Sequence, residues 1–214
     1  MIGPWSDRTR RAGPGEPKAS WMKPALIVVD LLRDTFERHP DSPVAMAARA
    51  FLPALNTVID HFHQKGFPVV FACDSFLRDD FIFRGRMAPH SLRATPGAEV
   101  IPELHREQGD HMVYKRRFSG FFKTDLDQTL RTLGVDSVAV AGIATPICVT
   151  ATALDALSHD FRTFIIEDCS AAHRPEDHQA VLDAYRRTPL HPLLQVMSSR
   201  QLMELMASHP HGAS

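Results

Sequence analysis

The chain has 214 residues, 44% of them hydrophobic and 23% charged, with a formal net charge of −1 and a near-neutral isoelectric point. That length suits a single domain, since domains run to about 100–200 residues, and the charge balance removes the electrostatic basis for a nucleic-acid or anionic-membrane partner. No apolar run approaches the ~20 residues needed to span a bilayer and the N-terminus lacks the apolar stretch of a signal peptide, so a cytoplasmic protein acting on a small molecule is expected.

In chain order, residues 1–22 mix Gly, Pro, Arg, Ser and Lys without apolar periodicity and read as a flexible arm; residues 23–207 read as one domain and 208–214 as a tail. Ala25-Leu26-Ile27-Val28-Val29 is a buried strand ending in Asp30. A helical pattern over 44–65 follows, in which Pro53 marks a kink or the start of a second segment and Gly66 a stop. Residues 68–73 form a second strand ending in Asp74. Residues 75–96 have no clean period, as expected of a lid or pocket wall. A short helix over 98–106 precedes strand three, 111–114, which ends at Lys115. The aromatic loop Phe118-Ser119-Gly120-Phe121-Phe122 suggests an apolar pocket wall. A helix over 125–133 leads to strand four, from Val138 to Gly142, and then to a helix opened by Cys148. Strand five at 162–167, a helix at 175–187, strand six at 193–197 and a helix at 199–206 complete the pattern. Strands alternating with helices give an α/β fold: a six-stranded parallel, doubly wound sheet in a three-layer α/β/α sandwich.

Doubly wound sheets bind ligands at the carboxyl ends of their strands, and three of the first four strands end in or near Asp30, Lys115 and Cys148. An acid, a cation and a thiol suffice for thiol-based acyl transfer. The free N–H groups and dipole of a helix N-terminus favour a thiolate at Cys148 and can hold an oxyanion. Cys73, Cys148 and Cys169 form no disulfide or zinc framework, and no nucleotide-binding motif is present, so reduced thiols and no cofactor are expected.

The residues Ala25-Leu26-Ile27-Val28-Val29-Asp30, Lys115-Arg116-Arg117-Phe118-Ser119 and Gly142-Ile143-Ala144-Thr145-Pro146-Ile147-Cys148-Val149, followed by Thr152 and Ala153, resemble the isochorismatase-like cysteine hydrolases, over about residues 24–196. The resemblance implies a catalytic triad of Asp30, Lys115 and Cys148, a cis peptide at Ile143–Ala144, and an oxyanion hole formed by the N–H groups of Ala144 and Cys148. It also implies substrate contacts among Phe36, Phe118, Ile143, Thr145, Ile147, Asp74 and His90. In the implied reaction Asp30 deprotonates Cys148, a thioester forms, and Lys115 keeps Asp30 ionised and the thiol acidic.

Departures from the family pattern narrow the substrate. Nicotinamidases of the family carry an Asp-x-His pair and a further Pro-His histidine that bind a metal; here Asp74 and Pro89-His90 match but Phe76 replaces the first histidine. Two ligands make a poor site, so no metal is expected, and His90 is free to hydrogen-bond Asp74 or a ligand. Leu32 and Thr35 also replace a Gln and a Phe of the family's opening motif, with Phe36 one place later. Arg78, Arg84, Arg86, Arg116 and Arg117 are candidates for a carboxylate-binding role or a solvated rim. The leading expectation is a cysteine-dependent hydrolase of a small amide, carbamoyl or ureido compound, assembled as a homo-oligomer, dimer or tetramer. The alternatives are a vinyl-ether hydrolase, disfavoured by Cys148 because that chemistry needs no thiol, and a non-catalytic binding protein retaining the fold.

Overall fold

The computed structural model describes residues 22–208. The expected arm therefore lies outside the described residues except for Met22, which is buried in the core, and the expected tail lies outside them except for Ser208, which ends the last helix. Six strands, β1 (Pro24–Val29), β2 (Val69–Asp74), β3 (His111–Lys115), β4 (Ser137–Ile143), β5 (Arg162–Ala171) and β6 (Leu194–Met197), form one sheet in the order β3-β2-β1-β4-β5-β6. Every pairing is parallel. The chain winds outward from β1 to β3, returns to the other side of β1 and winds outward again, so the order reverses between β1 and β4. That switch point leaves a crevice at the strands' carboxyl ends.

The apolar run of β1 follows from its central place, because a strand covered on both faces has no solvent side. Leu26 and Val28 join one core with α2 (Pro43–Lys65) and α6 (Ser199–Ser208). Ala25, Ile27 and Val29 join the opposite core with α3 (Leu126–Thr132), α4 (Thr150–Ser158) and α5 (Pro175–Arg186). Helix α2 runs unbroken through Pro53: Ser42 caps it through its Oγ, and its apolar face, from Val44 to Phe62, holds it on the sheet.

Four local expectations change. Helix α1 (Arg33–Glu37) follows β1, and its five residues are too few for a periodic signal. In place of a helix over 98–106 there is a 3₁₀ turn, Pro96–Ala98, and then irregular chain. The backbone there is committed elsewhere: the Arg33 N–H donates to the Glu99 carbonyl (2.9 Å) and the Ile101 N–H to the Leu31 carbonyl (3.1 Å). Strand β5 continues to Ala171 through a bulge that advances it from Ile165 to Ser170 while β4 advances from Val140 to Gly142. Residues 145–149 form a π-helical turn, so α4 begins at Thr150 rather than at Cys148.

Candidate active site

Parallel pairing places Asp74 beside Lys115 at the ends of β2 and β3, and Asp30 follows β1 directly. Asp30 adopts a left-handed conformation (φ 55°), tolerated better by Asp than by most residues, and its N–H still donates to the Ala72 carbonyl (3.0 Å). Asp30 Oδ1 accepts the Asp74 N–H (2.8 Å), and Oδ2 accepts from Lys115 Nζ (2.7 Å). Lys115 Nζ also donates to Asp74 Oδ1. All three side chains are buried, Lys115 completely. A buried ammonium is tolerable only when paired, and here two carboxylates share it.

Cys148 arrives from β4. Gly142 lies so close to β1 (φ 113°) that a Cβ there would stand 2.1 Å from the Val29 carbonyl oxygen, so only glycine lets β4 reach the switch point at this register. The Ile143–Ala144 peptide is cis. The π-helical turn then sets the Cys148 sulfur and the carboxylate oxygens of Asp30 and Asp74 within 4.8 Å of one another. The thiol and the Asp30 carboxylate thus face each other at the buried end of the site.

The electrostatics depart from the acidic thiol expected of a helix N-terminus. Burial, then the Asp30 and Asp74 carboxylates, push the Cys148 thiol well above its ordinary pKa, and Lys115 offsets only part of this. The raised pKa favours the neutral thiol. Burial also raises Asp74, reinforced by the Asp30 charge and opposed by Lys115, to about 7. For Lys115 burial opposes the charge, but Asp30, Asp74 and Cys148 outweigh it and its pKa is raised.

Asp30, Asp74 and Cys148 form the floor of a cavity of about 400 Å³. Ile143, Ala144, Ile147, Phe118 and His90 also line it. Phe36 and Thr145 do not. Phe36 is buried beneath the Arg49 guanidinium, 5.4 Å from its ring centre, because α1 turns it toward α2. Thr145 is fully buried, with Oγ1 2.8 Å from His178 Nδ1. His90 does not bond Asp74: its Nδ1–H donates to the Ala88 carbonyl (3.0 Å) and its ring packs edge-on against Phe76 and Phe83. Phe121 packs on His159 and Phe161, away from the cavity, and Phe122 is exposed.

Sequence reasoning missed much of the mouth, where Leu32, Asp34, Arg38, His39, Ser42, Ile82, Met87, Ser91 and His173 are gathered from α1, the start of α2, the 75–98 segment and the turn after β5. The suspected arginines are elsewhere. Arg116 and Arg117 bind Asp80, whose carboxyl the Arg116 hydrogen bond lowers to about 2, and Arg78, Arg84 and Arg86 are not cavity residues. Nothing in local periodicity marks the true set, but the irregularity of residues 75–96 pointed to the right wall.

The residues do not fit the metal of the nicotinamidase pattern. Asp74 is bound to Lys115, Phe76 occupies the position of one ligand and packs against His90, and the His90 Nδ1 is committed to a carbonyl. In the remaining cluster, Asp30, Asp74 and Cys148, both carboxylates already bind the Lys115 side chain.

The sequence profile of the isochorismatase domain matches residues 24–201, and the chain belongs to that family of hydrolases. It is 33% identical over 175 residues to an Arabidopsis thaliana protein named a probable inactive nicotinamidase, covering 76% of this chain and 88% of the relative. N-carbamoylsarcosine amidase from Thermoplasma acidophilum is similar in structure with a TM-score of 0.71 at 35% identity, over 83% of this chain and 97% of that one. Pyrazinamidase of Pyrococcus horikoshii, solved in complex with zinc, superposes with a TM-score of 0.72 at 32% identity, over 82% and 99%. No helix among the described residues is long and apolar enough to cross a membrane.

Proposed function

We propose that the protein is a metal-independent thiol amidohydrolase of a small amide, carbamoyl or ureido compound, working through Asp30, Lys115 and Cys148. The observation that carries this is the placing of the Cys148 sulfur within 4.8 Å of a buried carboxylate already held by Lys115, on the floor of a cavity of small-molecule size. The relationship to an N-carbamoylsarcosine amidase supports the same bond type.

Because the neutral thiol is favoured, proton transfer and attack belong to one step. Asp30 takes the proton as sulfur bonds to the carbonyl carbon. The N–H groups of Ala144 and Cys148, two residues that line the cavity, receive the oxyanion. Asp30 returns the proton to the departing nitrogen as the C–N bond breaks, leaving a thioester. Water, deprotonated by the same carboxylate, hydrolyses the thioester and restores the thiol. Lys115 holds Asp30 in place and balances its charge throughout.

The test is a screen for ammonia release from small amides, carbamoyl and ureido compounds, with acyl-enzyme on Cys148 sought by mass spectrometry. Turnover that disappears in Cys148→Ser and Asp30→Asn supports the assignment; turnover surviving either change overturns it. One observation favours a second reading, a binding protein without turnover: a relative of 33% identity is itself named as probably inactive. That reading expects ligand binding with no acyl-enzyme. Self-association into a dimer or tetramer remains part of the proposal and is read by sedimentation velocity.

A further inference from the structure

The turn that carries Cys148 is tied to the rest of the molecule at its first residue. Its bonds are of the wide π type: the Val149 N–H reaches the Ala144 carbonyl (3.3 Å) and the Thr150 N–H reaches the Thr145 carbonyl. Such single turns are less favourable than continued α-helix and persist where side chains fix them. Thr150 Oγ1 also donates to the Thr145 carbonyl (2.6 Å), closing the turn on itself. The Thr145 hydroxyl points the other way, to His178 on α5, 33 residues later in the chain. Thr145 is fully buried, so this hydroxyl needs a partner, and an apolar residue of the same shape would need none. A buried hydroxyl matched to an imidazole ring therefore specifies one seating of the turn. His178 is partly buried, and burial lowers its pKa; Glu167, raising, and Arg186, lowering, are the charges that act on it.

We propose that His178 is a positioning residue: through the Thr145 hydroxyl it fixes the π-helical turn that holds Cys148 over Asp30. The proposal rests on the reading of Cys148 as the nucleophile. It makes His178 matter to chemistry that it never touches, since His178 itself does not line the cavity.

Acetyl transfer from p-nitrophenyl acetate to Cys148, followed by peptide mass spectrometry, tests it without a known substrate. Loss of one hydrogen bond is expected to slow transfer about 5-fold in His178→Ala and in Thr145→Val. The double variant should be no slower than either single one, because both remove the same bond. His178→Asn, which places a polar atom near the Nδ1 position, and Thr145→Ser, which keeps the hydroxyl, should restore transfer to within about 2-fold of the parent. Hydrogen exchange of peptides spanning 144–149 provides an arm independent of reactivity, and faster exchange confined to that turn in His178→Ala and Thr145→Val is expected. Additive losses, no loss, no rescue, or exchange that loosens all of α5 and the sheet overturns the proposal. If the parent protein does not accept acetyl at Cys148, the nucleophile assignment fails, and the exchange arm still decides whether His178 seats the turn.

Discussion

The floor of the cavity is made of strand tips: Asp30, Asp74 and Lys115 stand at the ends of three adjacent strands, and their spacing is set by ladder register. The wall, made of α1 and residues 75–98, has no strand, only an isolated bridge between Phe76 and Leu92. It is sewn together by side chains reaching backbone: Asp34 accepts the Ser91 N–H (2.6 Å), Arg38 donates to the Pro89 carbonyl (2.7 Å), and Asp80 accepts the Leu77 N–H (2.8 Å). Gly97 leaves room for the Asp34 carboxylate, which a Cβ there would meet at 2.3 Å. The floor is thus rigid and charged, the wall replaceable one contact at a time, and this separates the part suited to chemistry from the part suited to selecting a substrate.

Substitutions should respect that division. Cys148→Ser is expected to lower turnover by about 10,000-fold or more with little change in melting temperature, since it removes the nucleophile and hardly alters volume; steady-state rates and a thermal melt check both halves. Lys115→Met leaves two buried carboxylates facing each other and should destabilise the fold by about 3–5 kcal/mol in denaturant titrations. A loss below about 1 kcal/mol would mean that the floor is not the rigid, charged unit described above.

The pH response sharpens the same point. The folded pKa of Asp74, about 7, lies above the ordinary carboxylate value, so the native state holds this proton more tightly than the unfolded chain. The stability it contributes is fully present below about pH 4 and is lost as pH rises to about 7. Relative to Asp74→Asn, the parent protein should therefore lose stability over that interval and show no such relative slope above it, as urea titrations at several pH values will read. In the wall, Asp34→Ala should cost only about 1–2 kcal/mol and raise KM more than it lowers kcat.

The floor was legible and the wall was not, for a physical reason. A buried parallel strand announces itself as a short apolar run whose end is fixed by the first polar residue, so Asp30 and Asp74 stand at strand tips on pattern alone. Strand β3 is instead an edge strand, opening at His111 and exposing Tyr114, and Lys115 ends it as the first charge after Met112-Val113-Tyr114. That Asp74 shares Lys115 is not legible in the sequence, because it depends on lateral register between β2 and β3. Phe36 and Thr145 each face a helix rather than the cavity, since direction within a short helix or an irregular turn is set by what packs against it. Arg38 and His39, just after α1, and His173, after β5, come from two distant segments that only the closed fold brings together.

By itself the sequence determined the parallel doubly wound sheet, through its alternation of apolar runs with amphipathic helices, and it determined which chemically reactive side chains stand at the strand ends. The tertiary structure alone decided that burial favours the neutral Cys148 thiol, that two carboxylates share one buried lysine, that Phe76 and His90 pack edge to face, and that Thr145 answers to His178. The first set follows from local pattern and burial. The second depends on desolvation and on distances between residues tens of positions apart, which have no value until the chain has closed around them.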